Sequence, residues 1–161
     1  RGRMAEKISI LMGHFSAPLN QIMQSGQLSV QVIPFMPQDD YDQLLWACDI
    51  NFVRGEDSFV RAQWAMHPFV WHIYPQADRA HESKLTAFLK LYTADLPLEI
   101  AQAVTKFWYG WNGIDEIDSV SWASFAACNQ ALRVHGKNWA EQLRAQDDLA
   151  SNLVRFIRNR L

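Results

Sequence analysis

Cysteine and one-sided charge are both scarce in this sequence. Of 161 residues only two are cysteine, Cys48 and Cys128, far apart and both in apolar surroundings. That excludes a disulfide framework and predicts two reduced thiols in a cytoplasmic protein. No CxxC or HExxH pairing accompanies them, so no metal site is expected. Fifteen Lys and Arg against 17 Asp and Glu leave a net charge of −2, which argues against a nucleic-acid track or a polybasic membrane surface. No window approaches the ~20 consecutive apolar residues of a membrane span. The opening Arg1-Gly2-Arg3, with Met4 internal, leads into no apolar run of the secretory kind. Internal repeats and low-complexity linkers are absent, as are a Walker loop, a GxGxxG fingerprint and a nucleophile elbow.

What remains is an ordinary globular composition, 49% hydrophobic and 20% charged, at a length that suits one domain with a real core. Seven tryptophans and nine phenylalanines are many for this size. Most belong in the interior, and those beside polar turn residues fit a site that packs flat rings.

Between residues 28 and 92 strands and helices alternate. Leu28–Phe35, Asp49–Val53 and Phe69–Ile73 read as strands. Asp40–Ala47, Ser58–Ala65 and His81–Tyr92 read as helices, the last carrying Leu85, Phe88, Leu89 and Tyr92 at i, i+3, i+4 and i+7. This order predicts a parallel sheet with right-handed crossovers, and ligands on such sheets sit beyond the carboxyl ends of the strands. Pro34–Gln38, Arg54–Ser58 and Tyr74–Gln76 all fall at those ends. Upstream, Lys7–Met12 fits strand or helix, and Pro18–Gln24 reads as a helix stopped by Gly26. Downstream the pattern is helical: Leu98–Trp111, then Val120–Val134 ending at Gly136, then Asn138–Arg160. Three strands with a helical C-terminal tail make a thin domain, so one or two further strands and an N-terminal segment are expected outside the chain.

The stretch from Asp49 to Trp64 carries most of the chemistry. A strand ends, turns at Arg54-Gly55, crosses the acidic pair Glu56-Asp57 and enters a helix at Ser58. Such a junction aims loop amides and a helix N-terminus at one point, where an anion can be held. Ser58 reads either as an N-cap alone or, with the amides after Gly55, as a phosphate ligand with Arg54 as counter-charge. Gly55 lets the backbone approach the ligand closely. Glu56 and Asp57 suit sugar hydroxyls, or hold Arg54 in place. In Ile33-Pro34-Phe35-Met36-Pro37-Gln38 the prolines force a non-helical exit, and Phe35 and Gln38 read either as a stacking ring with a base-facing or sugar-facing amide, or as a core ring with a turn glutamine. His72 reads as structural, while His14, His67, His81 and His135 read as surface or cap residues. Trp108, Tyr109 and Trp111 read as a packed cluster, and Asp115, Glu116 and Asp118 as a solvated loop. No nucleophile or general base stands out.

Asn51-Phe-Val-Arg-Gly-Glu-Asp-Ser-Phe-Val-Arg-Ala-Gln-Trp64, followed by Pro68-Phe-Val-Trp-His-Ile-Tyr-Pro-Gln76, resembles the bacterial protein-arginine rhamnosyltransferases that modify elongation factor P, the EarP family. Pro34-Phe-Met-Pro-Gln38, Tyr41-Asp-Gln-Leu-Leu-Trp-Ala-Cys48 and Phe107-Trp-Tyr-Gly-Trp-Asn-Gly113 fit the same family in order and spacing, with residues 1–26 the weakest part. The resemblance implies a GT-B glycosyltransferase of two Rossmann-like domains. Residues 1–161 correspond to its C-terminal nucleotide-sugar-binding domain, without that domain's first strand or strands and without the N-terminal acceptor and catalytic domain. It implies transfer of L-rhamnose from TDP-β-L-rhamnose to an arginine of elongation factor P, with inversion and with no metal or other cofactor. By the same resemblance Phe35 lies against the thymine and Gln38 near the nucleoside. Arg54, Asp57 and Ser58 hold the diphosphate beside Gly55, and Glu56 contacts donor hydroxyls or supports catalysis. The general base is an aspartate outside this chain, so this piece alone is expected to be inactive. The competing readings are a non-catalytic nucleotide-sugar-binding module and a purely structural α/β domain.

Overall fold

The central piece of the chain is a strand, a helix and a second strand, set by alternation in the first strand and a continuous apolar run in the second. In the computed structural model, which describes residues 2–13 and 19–160, β3 (Asn51–Arg54) alternates buried and exposed residues, whereas β4 (Phe69–His72) is buried at Phe69, Val70 and Trp71. They pair in parallel, Asn51 opposite Phe69 and Arg54 opposite His72, and α3 (Glu56–Trp64) connects them. A parallel pair buried by helices takes near-continuous apolar residues, as β4 has.

Contacts divide the chain into two compact units, Arg1–Tyr41 and Asp42–Leu161. The first holds α1 (Gly2–Leu11), β1 (Ile22–Ser25) and β2 (Leu28–Gln31). β1 and β2 form an antiparallel hairpin with Met23 opposite Val30, turned at Gly26 with φ +59°, a conformation that favours glycine. Two expectations are corrected here. The helix read over Pro18–Gln24 is a strand from Ile22 onward, and Leu28–Phe35 contributes β2 to a hairpin and no third strand to the parallel sheet. The apolar positions there alternate with polar ones across a glycine turn, which is strand chemistry. Pro18 and His14 lie outside the described residues. Lys7–Leu11, ambiguous in the sequence, is helical.

α2 (Gln38–Ala47) crosses the boundary between the units. Within the second unit follow α4 (Ala80–Tyr92), α5 (Leu98–Trp111), α6 (Ser119–Ala127), α7 (Asn129–Arg144) and α8 (Leu149–Arg158). Its core is aromatic: Phe59 stacks on Trp71 at 4.0 Å between centroids, and Phe88 meets Phe69, Tyr92, Trp108 and Trp139. On another flank, Phe52 of β3 contacts Phe107, Trp111 and Trp122. Ring pairs of this kind stabilise by ~1 kcal/mol each beyond the area they bury. Trp108 and Trp111 thus both pack against other rings, but in two separate groups rather than one cluster.

The helical tail departs from expectation in five places. The helix read over Asn138–Arg160 is two, α7 ending at Arg144 and α8 starting at Leu149, and His135, read as a surface or cap residue, is buried. Val120–Val134 is divided, α6 ending at Ala127 and α7 starting at Asn129. Gly136 stops nothing: it lies inside α7, where an added Cβ would stand 2.9 Å from the Met66 carbonyl oxygen. Asp118 is the N-cap of α6, accepting from Ser121 N–H at 2.7 Å in a capping box, so it is structural rather than merely solvated. Cys48 and Cys128 are both free thiols. No helix among the described residues is long and apolar enough to cross a membrane.

Candidate functional site

The junction of β3 with α3 is built around Gly55. Its backbone sits at φ 82°, ψ 176°, and an added Cβ would stand 3.1 Å from Tyr74 Cε2. Both the torsion and the approach require glycine. The Gly55 carbonyl accepts the buried Trp71 indole N–H at 3.1 Å and, more weakly, Phe59 N–H at 3.4 Å. Trp71 belongs to β4, so the neighbouring strand holds the turn in place.

Gly55 is the N-cap of α3, and no side chain caps the helix. This corrects the reading of Ser58 as N-cap: Ser58 is the third helical residue and half-buried. The first-turn amides of a helix have no intrahelical acceptor, and here no cap side chain occupies them. Their partial positive charge faces the carboxyl ends of the strands.

Arg54 is the last residue of β3, exposed by the alternation that buries Val53. Its guanidinium carbon lies 4.7 Å from the centroid of the Tyr74 ring, and no carboxylate forms an ion pair with it among the described residues. Opposite it in the ladder is His72. Burial first, and the charge of Arg54 second, hold the His72 imidazole below its ordinary pKa, so it is neutral at physiological pH and Arg54 supplies the positive charge. Glu56 and Asp57 are exposed. The Asp57 carboxylate accepts Arg61 Nε–H at 3.0 Å, and Arg61 also donates to Asp42 at 2.7 Å.

Of the residues expected in the site, the structure brings Arg54, Gly55, Glu56, Asp57 and Ser58 together at one turn. Phe35, 88% exposed, and Gln38, the first residue of α2, belong to the chain's other compact unit. Sequence reasoning placed Tyr74 at a strand end but did not place it in the site, and it did not single out Trp71. The signal for both was the third strand's apolar run ending at Tyr74-Pro75. Among the described residues no three His, Cys, Asp or Glu side chains cluster as metal ligands.

Residues 1–158 match the family model described as elongation factor P (EF-P) rhamnosyltransferase EarP. The chain belongs to the EarP family. It is 49% identical over 129 residues to a Pseudomonas aeruginosa protein-arginine rhamnosyltransferase, an alignment that covers 80% of this chain and 34% of that protein. It is 43% identical over 161 residues to the Pseudomonas putida protein of the same name, covering 100% of this chain and 42% of that protein. A Neisseria meningitidis protein of that name is 34% identical over 140 residues, with 84% and 37% covered. A solved structure, described as the structural basis for EarP-mediated arginine glycosylation of translation elongation factor EF-P, superposes with a TM-score of 0.83 at 40% identity, covering 100% of this chain and 50% of that one. The chain therefore spans less than half the length of these curated EarP relatives.

Proposed function

We propose that this chain is the donor-binding part of an EarP enzyme, the Rossmann-like C-terminal domain of a GT-B glycosyltransferase. In this reading the whole enzyme transfers L-rhamnose from TDP-β-L-rhamnose to an arginine of elongation factor P, with inversion and without a metal. The observation that carries it is the β3–α3 turn, which sets a cation without an ion-pair partner among the described residues, uncapped helix amides and two exposed carboxylates side by side. A nucleotide sugar presents both chemistries at once, a diphosphate for the first and hydroxyls for the second.

The division of roles follows from charge. As the sugar–phosphate bond breaks, negative charge grows on the leaving diphosphate. Arg54 and the amides of Glu56, Asp57 and Ser58 stabilise it, which is the work a divalent cation performs in other transferases. The flat face of Phe35 stacks on the thymine, and Gln38 hydrogen-bonds to the nucleoside. Glu56 accepts from rhamnose hydroxyls or supports catalysis at the acceptor. An arginine acceptor is a poor nucleophile while protonated, so a general base is required, and it is assigned to an aspartate of the N-terminal half. This chain alone then performs no transfer.

The deciding measurement is TDP titration and rhamnose transfer by the enzyme at full family length with Arg54→Ala. Losing a charge-assisted contact should weaken TDP binding by about tenfold to a hundredfold; unimpaired binding and transfer would sink the assignment. TDP binding with no transfer in the unmodified full-length protein would support a non-catalytic nucleotide-sugar module instead.

A further inference from the structure

Asn112 is the residue just past α5, and its side-chain amide is fully engaged. Oδ1 accepts the Ile73 N–H at 2.9 Å, while Nδ2 donates to the carbonyls of Trp71 and Trp108, each at 2.8 Å. The Pro68 carbonyl accepts from Asn51 at 2.9 Å and so faces β3. Backbone groups alternate sides along a strand, so those of Trp71 and Ile73 face the opposite edge. Asn112 offers that edge one acceptor and one donor, as a neighbouring strand would. Four residues on from Trp71, Pro75 has no N–H to give, and the next amide, Gln76 N–H, donates to Nδ1 of the buried His81 at 3.0 Å. Two side chains thus hold the two ends of the segment Ile73–Gln76. Between them stands Tyr74, whose ring occupies the space a Gly55 side chain would enter and lies 4.7 Å from the Arg54 guanidinium carbon.

We propose that Asn112 and His81 are positioning residues, which act through the Ile73–Gln76 loop to keep the Tyr74 ring against Gly55 and the Arg54 guanidinium preset for the donor diphosphate. The inference rests on the donor-site reading above. The His81 bond requires Nδ1 to be an unprotonated acceptor, so the proton of the neutral ring is on Nε2. Neither residue touches Arg54 or the α3 amides, which distinguishes them from groups that contact ligand.

The test is calorimetric titration of TDP into the full-length enzyme. Asn112→Ala should weaken binding about tenfold, and in a Tyr74→Ala background it should add less than about twofold, because both changes remove the same preset ring. His81→Ala should weaken binding in the same way, whereas His81→Asn, whose Oδ1 stands near the place of Nδ1, should restore it. If Asn112→Ala does not fold, Asn112→Gln serves, since it keeps an amide with the same donors and acceptor but moves it by one methylene; it should fall between. A purely structural role would lower thermal stability in all backgrounds without this dependence on Tyr74. The proposal is overturned if Asn112→Ala and His81→Ala bind TDP like the unmodified enzyme, or if the Asn112 penalty persists in full without the Tyr74 ring. Arg54→Ala, run alongside, separates the two failures. If it loses affinity while the other two variants keep it, only the positioning role falls; if it keeps affinity, the donor-site reading falls and takes the positioning role with it.

Discussion

At the scale of single residues the site depends on backbone geometry more than on side-chain count. Gly55 is the clearest case. Its φ of 82° is costly for any residue with a Cβ, and the added atom would meet a ring carbon at 3.1 Å. Gly55→Ala should therefore destabilise the protein by ~1–3 kcal/mol, read as a lower urea midpoint at unchanged m-value. Unchanged stability would mean that the turn relaxes to another conformation. This residue was legible from the sequence, since a glycine between a strand and a helix, flanked by arginine and carboxylates, has few other uses. Ser58 was not: a serine three residues on imitates an N-cap, and nothing local reveals that Gly55 already occupies the cap. Tyr74 was hidden for a different reason, because its partner Gly55 is remote in sequence and only the parallel register brings them together.

At the scale of elements, β3, α3, β4, α4 and α5 were legible because their apolar spacing is set by burial on one face or on both. The hairpin of β1 and β2 was not, because its strands are four residues each with one buried position between them, too little pattern to separate strand from helix. The division between α6 and α7 was missed because apolar residues continue through it. Gly136 misled for a physical reason that yields a prediction. Alanine in a helix interior gains ~1 kcal/mol over glycine, yet its Cβ would meet backbone atoms of Met66 at 2.9 and 3.0 Å. Met66 itself has φ 60° and cannot easily retreat. Overpacking costs ~1–3 kcal/mol, so Gly136→Ala should be net destabilising, with a lower thermal midpoint. A rise would show that the Met66 turn yields.

At the scale of the whole molecule, the parallel βαβ unit was foreseen, but the third strand expected from Leu28–Phe35 is not part of its sheet, because the sheet's order is not written in any one segment. A pH dependence belongs at this scale. His67, His72 and His135 all have lowered pKa values, in each case chiefly from burial, and the Nε2 of His135 is buried without a partner. Unfolded, each returns to about 6.5. Just below that value the unfolded chain binds more protons than the folded one, so stability falls as pH drops from about 6.5 toward the depressed folded values. Urea unfolding at pH 7.5 and pH 5.5 should show the loss, and His135→Gln should flatten it. A profile flat across this range would show that these imidazoles protonate without unfolding.

The bond between Ile73 and the Asn112 side chain has one more consequence, in the time domain of amide hydrogen exchange. Amides inside a strand ladder are released only when the sheet opens, whereas Ile73 is released by the rotation of one side chain. Its exchange should run ahead of the neighbouring amides of β4 and should slow when ligand fills the turn. That one amide would then report opening of the loop while the sheet beneath it stays closed.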